Sequence, residues 1–237
     1  MTDTVVGAQA VILAGGLGTR LRPFTQIIPK PLLPVGDRSV LEIQIDQLKK
    51  HGVKEIIFAT NYRSNLLESY FGDGSRFGVE ITYSLEEKKL GTCGPLSLLR
   101  DKLKSPFIVM NGDILTNLDF DRAIKFHLSK GGLLSIVSKD VVFPLSYGNL
   151  IGDGECVTGI QEKPDIRVEI STGIYIMSHG IFDFIPFNEK FGMDELVHAL
   201  LAQRVPIYKY KTEQYWLDIG RMEDYEKAQE DFEKHFK

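Results

Sequence analysis

Short apolar runs alternate with stretches of helical periodicity in the first half of the chain. The runs predict buried strands, because each is rich in Val, Ile or Phe and ends at glycine or polar residues; they lie at 10–14, 53–60, 79–83 and 108–110. Segments with apolar residues three and four positions apart predict connecting helices; one is capped by Ser39, one carries Leu67 and Phe71, and one starts at Pro95. This alternation predicts a parallel α/β sheet.

The second half of the chain is richer in predicted strand. Its apolar runs lie at 134–137, 157–161, 174–177 and 205–210. The last segment, 222–237, has its apolar residues at helical spacing, which predicts a helix packed against the sheet or against a partner subunit. We therefore predict an α/β fold with a Rossmann-like, mixed but mostly parallel central sheet and helices on both faces. The whole chain, 1–237, is expected to form one domain.

A glycine-rich loop follows the first predicted strand. Gly15, Gly16 and Gly18 end the apolar run abruptly, and glycine permits positive φ and a close approach of backbone N–H groups to a phosphate. Arg20 and Lys30 follow as cations, with no acidic residue near them in the sequence. The loop is therefore predicted to bind a polyphosphate. The alternative is a strand that simply turns at its glycines, but this does not explain why Arg20 and Lys30 follow.

Neither of the two most common phosphate loops fits this stretch. A dinucleotide-binding fingerprint needs a glycine three positions after Gly18, where the chain has Leu21. A P-loop needs a Gly-Lys-Ser/Thr ending, which the sequence lacks.

Composition limits the classes of protein. With 237 residues, 43% hydrophobic and 25% charged, the chain can bury a large core, and its net charge of -4 argues against a general nucleic-acid binder. Cys93 and Cys156 have no metal-binding spacing, which favours reduced thiols and an intracellular protein. The sequence shows neither a signal peptide nor eighteen uninterrupted apolar residues, so we expect a cytoplasmic protein without a membrane span.

The segment 15–23, Gly-Gly-Leu-Gly-Thr-Arg-Leu-Arg-Pro, is followed by Pro29-Lys30-Pro31. Together they resemble the opening signature of the sugar-1-phosphate nucleotidylyltransferases. The resemblance implies the nucleotide-diphospho-sugar transferase fold and the transfer of a nucleotidyl group from an NTP to a sugar 1-phosphate. It also implies a nucleotide-binding half at about 8–115, a sugar-binding half at about 116–220 and a C-terminal helix at about 221–237.

The resemblance further implies a magnesium site. Asp113, in Asn-Gly-Asp, and Asp218, in Trp-Leu-Asp-Ile-Gly, match the two family positions that hold Mg²⁺, a hard cation that prefers carboxylate oxygens. For either Asp alone, capping of a turn is the alternative. Transfer needs no protein nucleophile, so cations and a metal suffice. The catalytic set implied is Arg20, Lys30, Asp113, Lys163 and Asp218.

Further segments match the binding positions of the family. The nucleotide would contact Leu13, Ala14, Gly15, Gly16, Gly18, Thr19, Arg20, Glu86, Gly91 and Gly112. The sugar phosphate would contact Tyr147, Gly148, Glu162, Lys163, Ser171, Thr172 and Gly173, with Glu162 on the sugar hydroxyls and Lys163 on the phosphate. Ser171 and Thr172 stand where Asn-Ala is common in the family, so the sugar is left open.

Glu86 bears on the choice of nucleobase, because relatives that transfer uridylyl or thymidylyl groups usually carry Gln five residues before the loop glycine, here Gly91. A carboxylate can accept the adjacent N1–H and 2-amino donors of guanine, whereas uracil and thymine present acceptors beside N3–H. GTP is therefore favoured. UTP and dTTP remain alternatives, and CTP also remains open because cytosine has an amino donor. The alternative without a functional role is that Glu86 belongs to a solvent-exposed loop.

The predicted partners are thus an NTP and a sugar 1-phosphate, with no nucleic acid and no membrane; a homo-oligomer is compatible with the sequence. The loop at 90–96, Leu-Gly-Thr-Cys-Gly-Pro-Leu, resembles the base-binding loop of the family and is similar to that of mannose-1-phosphate guanylyltransferases. The ending at 215–225 is similar to that of bacterial enzymes that activate amino sugars or heptoses for surface polysaccharides.

Two rival hypotheses are a transferase of the same fold with a non-sugar phosphate acceptor, and a catalytically silent regulatory subunit that senses nucleotide sugars.

Overall fold

The computed structural model of the chain describes residues 7–16, 18–61 and 64–237. The strands are β1 (Gln9–Leu13), β2 (Pro34–Val35), β3 (Arg38–Ser39), β4 (Glu55–Thr60), β5 (Glu80–Leu85), β6 (Phe107–Asn111), β7 (Ile114–Thr116), β8 (Leu134–Pro144), β9 (Asn149–Asp153), β10 (Cys156–Gln161), β11 (Asp165–Met177), β12 (Ile207–Lys211) and β13 (Trp216–Asp218). The α-helices are α1 (Val40–Lys50), α2 (Ser64–Phe71), α3 (Phe120–Lys130), α4 (Met193–Ala202) and α5 (Met222–Phe236).

Seven strands form one central sheet in the order β12-β8-β11-β6-β1-β4-β5. β1 is parallel to β4 and β6, β4 is parallel to β5, and β8 is parallel to β12, whereas β11 is antiparallel to both of its neighbours. The mixed, mostly parallel sheet predicted from the sequence is confirmed. Because β1, β4 and β6 point the same way, their carboxyl ends lie at one edge, where open α/β sheets bind ligands.

Helices cover both faces of the sheet. On one face, Leu41 of α1, Leu67 of α2 and Ile124 of α3 pack on alternate residues of the central strands. On the other face, Leu196 of α4 and Leu99, from a short 3-10 helix, fill the core. The two layers confirm the predicted fold class. No helix in the described ranges is long and apolar enough to cross a membrane.

The helix predicted from Pro95 is wrong in type. The segment Gly94–Leu99 is a 3-10 helix, although Leu96 and Leu99 are buried as expected. The N–H groups of Cys93 and Gly94 both donate to the Phe191 carbonyl, at 3.0 and 2.9 Å. The hydroxyl of Ser97 donates to the Gly94 carbonyl, at 2.7 Å, and so engages the oxygen that would open an α-helical ladder.

The C-terminal helix α5 packs within its own chain. Ala228, Phe232 and Phe236 are buried in a third apolar cluster with Leu33, which lies near β2, and Leu217 of β13. The sequence predicted that this helix packs against the sheet or against a partner subunit. In the structure it packs instead on this smaller apolar cluster of its own chain, beside the sheet. α5 thereby fixes β13 against the segment that carries Lys30.

β8 and β11 extend beyond the central sheet as a two-stranded ribbon, and the hairpin of β9 and β10 continues from it. We call residues 139–170 the arm. Apolar side chains of the arm are exposed, among them Phe143, Leu150 and Ile160. The hairpin was predicted only in part, as the strand at 157–161, and α3 and α4 were not predicted at all.

Candidate functional site

A cleft of about 470 Å³ opens at the carboxyl ends of β1, β4 and β6. The predicted residues that line it are Leu13, Gly15, Gly16, Gly18, Thr19, Glu86, Gly91 and Asp113. Ala14 and Gly112 lie just behind this lining, where the Ala14 N–H donates to the Ala59 carbonyl and the Gly112 N–H to the Leu13 carbonyl. Leu17, within the glycine loop, lies outside the described residues. The structure thus brings most of the predicted nucleotide-binding residues to one cleft.

The glycine loop is held close to Glu86. A Cβ atom at Gly15 would lie 2.7 Å from Glu86 Oε1, so this position has no room for a side chain unless the carboxylate moves. Gly18 has a φ of 58°, and the Thr25 hydroxyl donates to its carbonyl at 2.7 Å. The loop therefore uses glycine both for a left-handed backbone and for a close approach.

Asp113 and Asp218, far apart in the sequence, meet because β7 pairs with β13. Asp218 lies opposite Ile114 in this antiparallel ladder, and the Ile219 N–H donates to the Asp113 carbonyl at 3.0 Å. The Nζ atom of Lys30 contacts Asp113 Oδ2 and lies 4.0 Å from Asp218 Oδ1. Two carboxylates and one buried ammonium thus share a single point at the edge of the cleft.

The electrostatics of this point follow from burial and like charge. Burial raises the pKa of Asp218, and the nearby Asp113 carboxylate raises it further, while Lys30 and Arg20 act in the opposite direction. Arg20 lies beside Asp218, because a Cβ atom at Gly220 would be 3.7 Å from Arg20 Nη1 and 3.8 Å from Asp218 Oδ2. Burial and the Asp113 charge outweigh the two cations, so the pKa of Asp218 lies above its ordinary value.

The donor chemistry of this point fits a divalent metal ion. Asp113 and Asp218 both direct a carboxylate oxygen towards the ammonium of Lys30, which shows that the two side chains can converge on one cation. Hard cations such as Mg²⁺ take carboxylate oxygens and complete their shells with water and phosphate oxygens. Two carboxylates at an open cleft match that requirement.

Glu86 is held in place rather than freely solvated. Its Oε2 atom accepts a hydrogen bond of 2.8 Å from the Leu90 N–H, which closes the loop before Gly91. Burial raises the pKa of Glu86, and the bond from Leu90 opposes that rise. Each carboxylate oxygen has two acceptor sites, so Oε2 can accept a second donor, and Oε1 lies beside Gly15.

Part of the predicted sugar-phosphate set lies on the arm. Tyr147 is 77% exposed, and a Cβ atom at Gly148 would lie 3.2 Å from Glu162 Oε2. Lys163 has a positive φ of 47°, a left-handed conformation that turns the chain between β10 and β11. The structure brings Gly148 and Glu162 together, but none of the four, Lys163 included, is among the described residues that line the cleft.

Ser171, Thr172 and Gly173 lie where the register of β11 shifts, next to β6. A Cβ atom at Gly173 would be 2.6 Å from Asn111 Nδ2, and Asn111 lines the cleft, so this segment adjoins it. The buried Thr172 hydroxyl donates to the Val137 carbonyl at 2.9 Å. Ser171 is exposed, whereas Thr172 is buried and its carbonyl accepts the Trp216 indole N–H at 2.8 Å.

Sequence reasoning gave no role to Ala59, Asn61, Lys89 and Asn111, which line the cleft, and it placed Thr92 and Pro95 there only as part of the loop 90–96 that resembles the base-binding loop of the family. Asn61 directly follows β4 and its side-chain amide donates to the Gly15 carbonyl. Asn61 and Asn111 both stand at the carboxyl ends of predicted strands, and this placement was the signal that could have identified them. Lys89 lies two residues before Gly91 and carries no such signal.

Comparisons with known proteins agree on one family. The family described as Nucleotidyl transferase matches residues 9–235. UTP--glucose-1-phosphate uridylyltransferase of Synechocystis sp. is 36% identical over 241 residues, which cover 93% of this chain and 62% of the relative. Probable mannose-1-phosphate guanylyltransferase 1 of Oryza sativa subsp. japonica is 36% identical over 226 residues, covering 92% and 62%. The chain thus spans 62% of the length of these curated relatives.

Solved structures share the fold over nearly the whole chain. HddC from Yersinia pseudotuberculosis matches with a TM-score of 0.76 and 30% identity, over 95% of this chain and all of the other. The same protein complexed with GMP-PN gives a TM-score of 0.74 at 29% identity, with the same coverage. A putative glucose-1-phosphate thymidylyltransferase from Bacillus anthracis, at 24% identity, covers 94% of each chain with a TM-score of 0.78 and supports the fold alone.

Proposed function

The chain belongs to the nucleotidyl transferase family, and from this premise we propose that it transfers a nucleotidyl group from an NTP to a sugar 1-phosphate. A phosphate oxygen of the sugar 1-phosphate bonds to the α-phosphorus, the bond from that phosphorus to the bridging oxygen breaks, and pyrophosphate leaves. The observation that carries the proposal is the meeting of Asp113, Asp218 and Lys30 beside the glycine loop. The resemblance seen in the sequence is confirmed by the family match.

The residues of the cleft have complementary roles in this proposal. Backbone N–H groups of the glycine loop hold the triphosphate, and Lys30 and Arg20 offset the negative charge that develops as pyrophosphate leaves. Asp113 and Asp218 would hold a divalent ion, Mg²⁺ by preference, which when bound neutralises phosphate charge. Positioning and charge neutralisation account for catalysis without a protein nucleophile.

We further propose that GTP is the preferred nucleotide. The support is the placement of Glu86, whose carboxylate is fixed by Leu90 and faces the loop at Gly15. Two relatives connect with guanine nucleotides, since one is named a guanylyltransferase and HddC was solved with GMP-PN, while the Synechocystis relative is named a uridylyltransferase. Accepting both guanine donors at once discriminates by about 1–3 kcal/mol, as bidentate base contacts do elsewhere.

Glu86→Gln should lower the preference for GTP over UTP and dTTP by about tenfold or more, because an amide offers one acceptor oxygen and turns a donor towards guanine. The GTP preference of the wild type should also fall as the pH falls through the raised pKa of Glu86, since a protonated carboxyl cannot accept both donors. The measurement is kcat/KM for each nucleotide across pH. The adjacent Glu87→Gln is the matched control, and equal ratios in both variants and the wild type would remove the base assignment.

The acceptor is proposed to be a hexose, amino-sugar or heptose 1-phosphate. Glu162 and Lys163 would bind it from the arm, and Ser171 and Gly173 from the edge of the cleft. Because the first pair lies outside the cleft lining, this assignment predicts that the arm contributes to the KM for the sugar phosphate. Glu162→Gln should therefore raise that KM while leaving the KM for the nucleotide unchanged.

One assay tests the proposed function as a whole. Pyrophosphate release is measured for four NTPs and dTTP, each against a panel of sugar 1-phosphates and against phosphocholine. We expect release with GTP and a sugar 1-phosphate. Release only with phosphocholine would move the protein to the non-sugar transferases, and no release with any pair, together with nucleotide-sugar binding, would identify a regulatory subunit.

A further inference from the structure

The turn that carries Asp113 is tied to the fold by its backbone on two sides. On one side, the Gly112 N–H donates to the Leu13 carbonyl at 3.0 Å, which fixes the turn to the end of β1. On the other side, the Asp113 carbonyl accepts the Ile219 N–H at 3.0 Å, which fixes the turn to the segment after β13. These bonds hold the middle of the turn, and its two ends, Asn111 and Ile114, lie in the ladders of β6 with β1 and of β7 with β13.

A side chain from α1 supports both ends of this turn. Gln44 Nε2 donates to the Asn111 carbonyl at 3.0 Å and to the Ile114 carbonyl at 2.7 Å. One amide nitrogen therefore sets the separation of the two carbonyls that flank Gly112 and Asp113. α1 is itself well anchored, because Ser39 and Glu42 form a reciprocal capping box at its first turn.

The other end of the Gln44 amide makes this arrangement costly for stability. Gln44 is only 2% exposed, and its Oε1 atom is buried with no hydrogen-bond partner among the described residues. A buried unsatisfied carbonyl oxygen offsets much of what the two hydrogen bonds contribute. Stability alone therefore gives little reason for a glutamine here, which leaves the geometry of the turn as its benefit.

We propose that Gln44 is a positioning residue that fixes the Asp113 carboxylate for divalent-metal binding, an inference that rests on the proposed function. The Gln44 side chain extends from α1 to the turn and would act on the metal through the Asn111 and Ile114 carbonyls. Mutation of a side chain that orients a metal ligand without touching the metal typically lowers metal affinity or activity by about 10- to 100-fold. The effect of Gln44 should fall on the metal constant more than on turnover at saturating metal.

Gln44→Met is the variant that tests the role, and Gln47→Met is its matched control. Gln47 lies one turn along the same helix and is also buried, and in the described part of the chain it donates no bond to the Asp113 turn. Both substitutions remove a buried amide from the same helix. Only Gln44→Met removes the link between the two carbonyls.

The measurements are Mn²⁺ binding to the substrate-free protein, followed by electron paramagnetic resonance, and the Mg²⁺ activation constant in the pyrophosphate assay. We expect Gln44→Met to weaken Mn²⁺ binding and to raise the Mg²⁺ constant by 10- to 100-fold. Its turnover should largely recover at high Mg²⁺, its melting temperature should stay within a few degrees of the wild type, and Gln47→Met should match the wild type throughout. Where Gln44→Met does not fold, Gln44→Asn, which keeps the amide but shortens its reach, should show the same loss.

Three results would overturn the proposal: wild-type metal constants in the Gln44 variant, an equal loss in the Gln44 and Gln47 variants, or a wild-type protein that binds no Mn²⁺. The failure of the proposed function looks different. If the wild type releases no pyrophosphate with any substrate pair but its Mn²⁺ affinity is lost in Gln44→Met alone, Gln44 still positions a metal ligand and only the transferase assignment falls.

Discussion

We expect Asp113→Asn and Asp218→Asn each to lower turnover by about 10³-fold or more, because each would remove one of the two carboxylates of the proposed metal site. A metal that polarises phosphoryl oxygens is worth several kcal/mol of transition-state stabilisation, and each 1.36 kcal/mol is a factor of ten. The melting temperature should stay near that of the wild type. Asparagine relieves the repulsion between the two carboxylates, and Lys30 keeps the other carboxylate as a partner.

The control for this prediction is Asp183→Asn. Asp183 is an exposed acid whose pairing with Arg100, at 2.6 Å, lies outside the cleft, so its loss should leave turnover unchanged. Pyrophosphate release and thermal melting are measured for all three variants. Full activity in both cleft variants would show that neither carboxylate holds a catalytic metal.

Local signals in the sequence predicted the layers of the fold. The apolar runs of β1, β4 and β6 indicated buried strands, and Ser39 marked the start of α1, where the structure shows that Glu42 completes a capping box. These features depend on residues within a few positions of one another. α3 carried comparable signals, with Asp119 accepting from the Arg122 N–H and Gly131 ending the helix at a φ of 63°, so it could have been predicted.

The geometry of the cleft could be predicted only as far as strand ends share an edge. The ladder that joins Asp113 to Asp218 is made of two three-residue strands a hundred residues apart, too short to show a period in the sequence. Gln44 was invisible for a related reason, since a glutamine on a helix normally reads as surface. The Pro95 segment was misjudged in helix type, because the spacing of Leu96 and Leu99, three residues apart, fits a 3-10 helix as well as an α-helix.

Lys30→Met should lower kcat by about 10²- to 10³-fold, the scale seen when one preorganised donor to a developing negative charge is deleted. Lys30 is 8% exposed and contacts the Asp113 carboxylate, so its ammonium is preorganised and costs little reorganisation during the reaction. Lys30→Arg should give an intermediate rate, because it keeps the charge but replaces a compact ammonium by a wider planar group.

Lys49→Met separates this effect from the general loss of a paired lysine. Lys49 also pairs with an aspartate, Asp46 at 3.3 Å, but its ammonium contacts Asp46 and the Phe77 carbonyl rather than Asp113 or Asp218, so kcat should match the wild type. Single-turnover pyrophosphate release at saturating substrates measures the chemical step in all three variants. If Lys30→Met raises only the KM for the nucleotide and leaves kcat unchanged, Lys30 binds the ground state and the transition state equally, and its role is limited to holding the triphosphate.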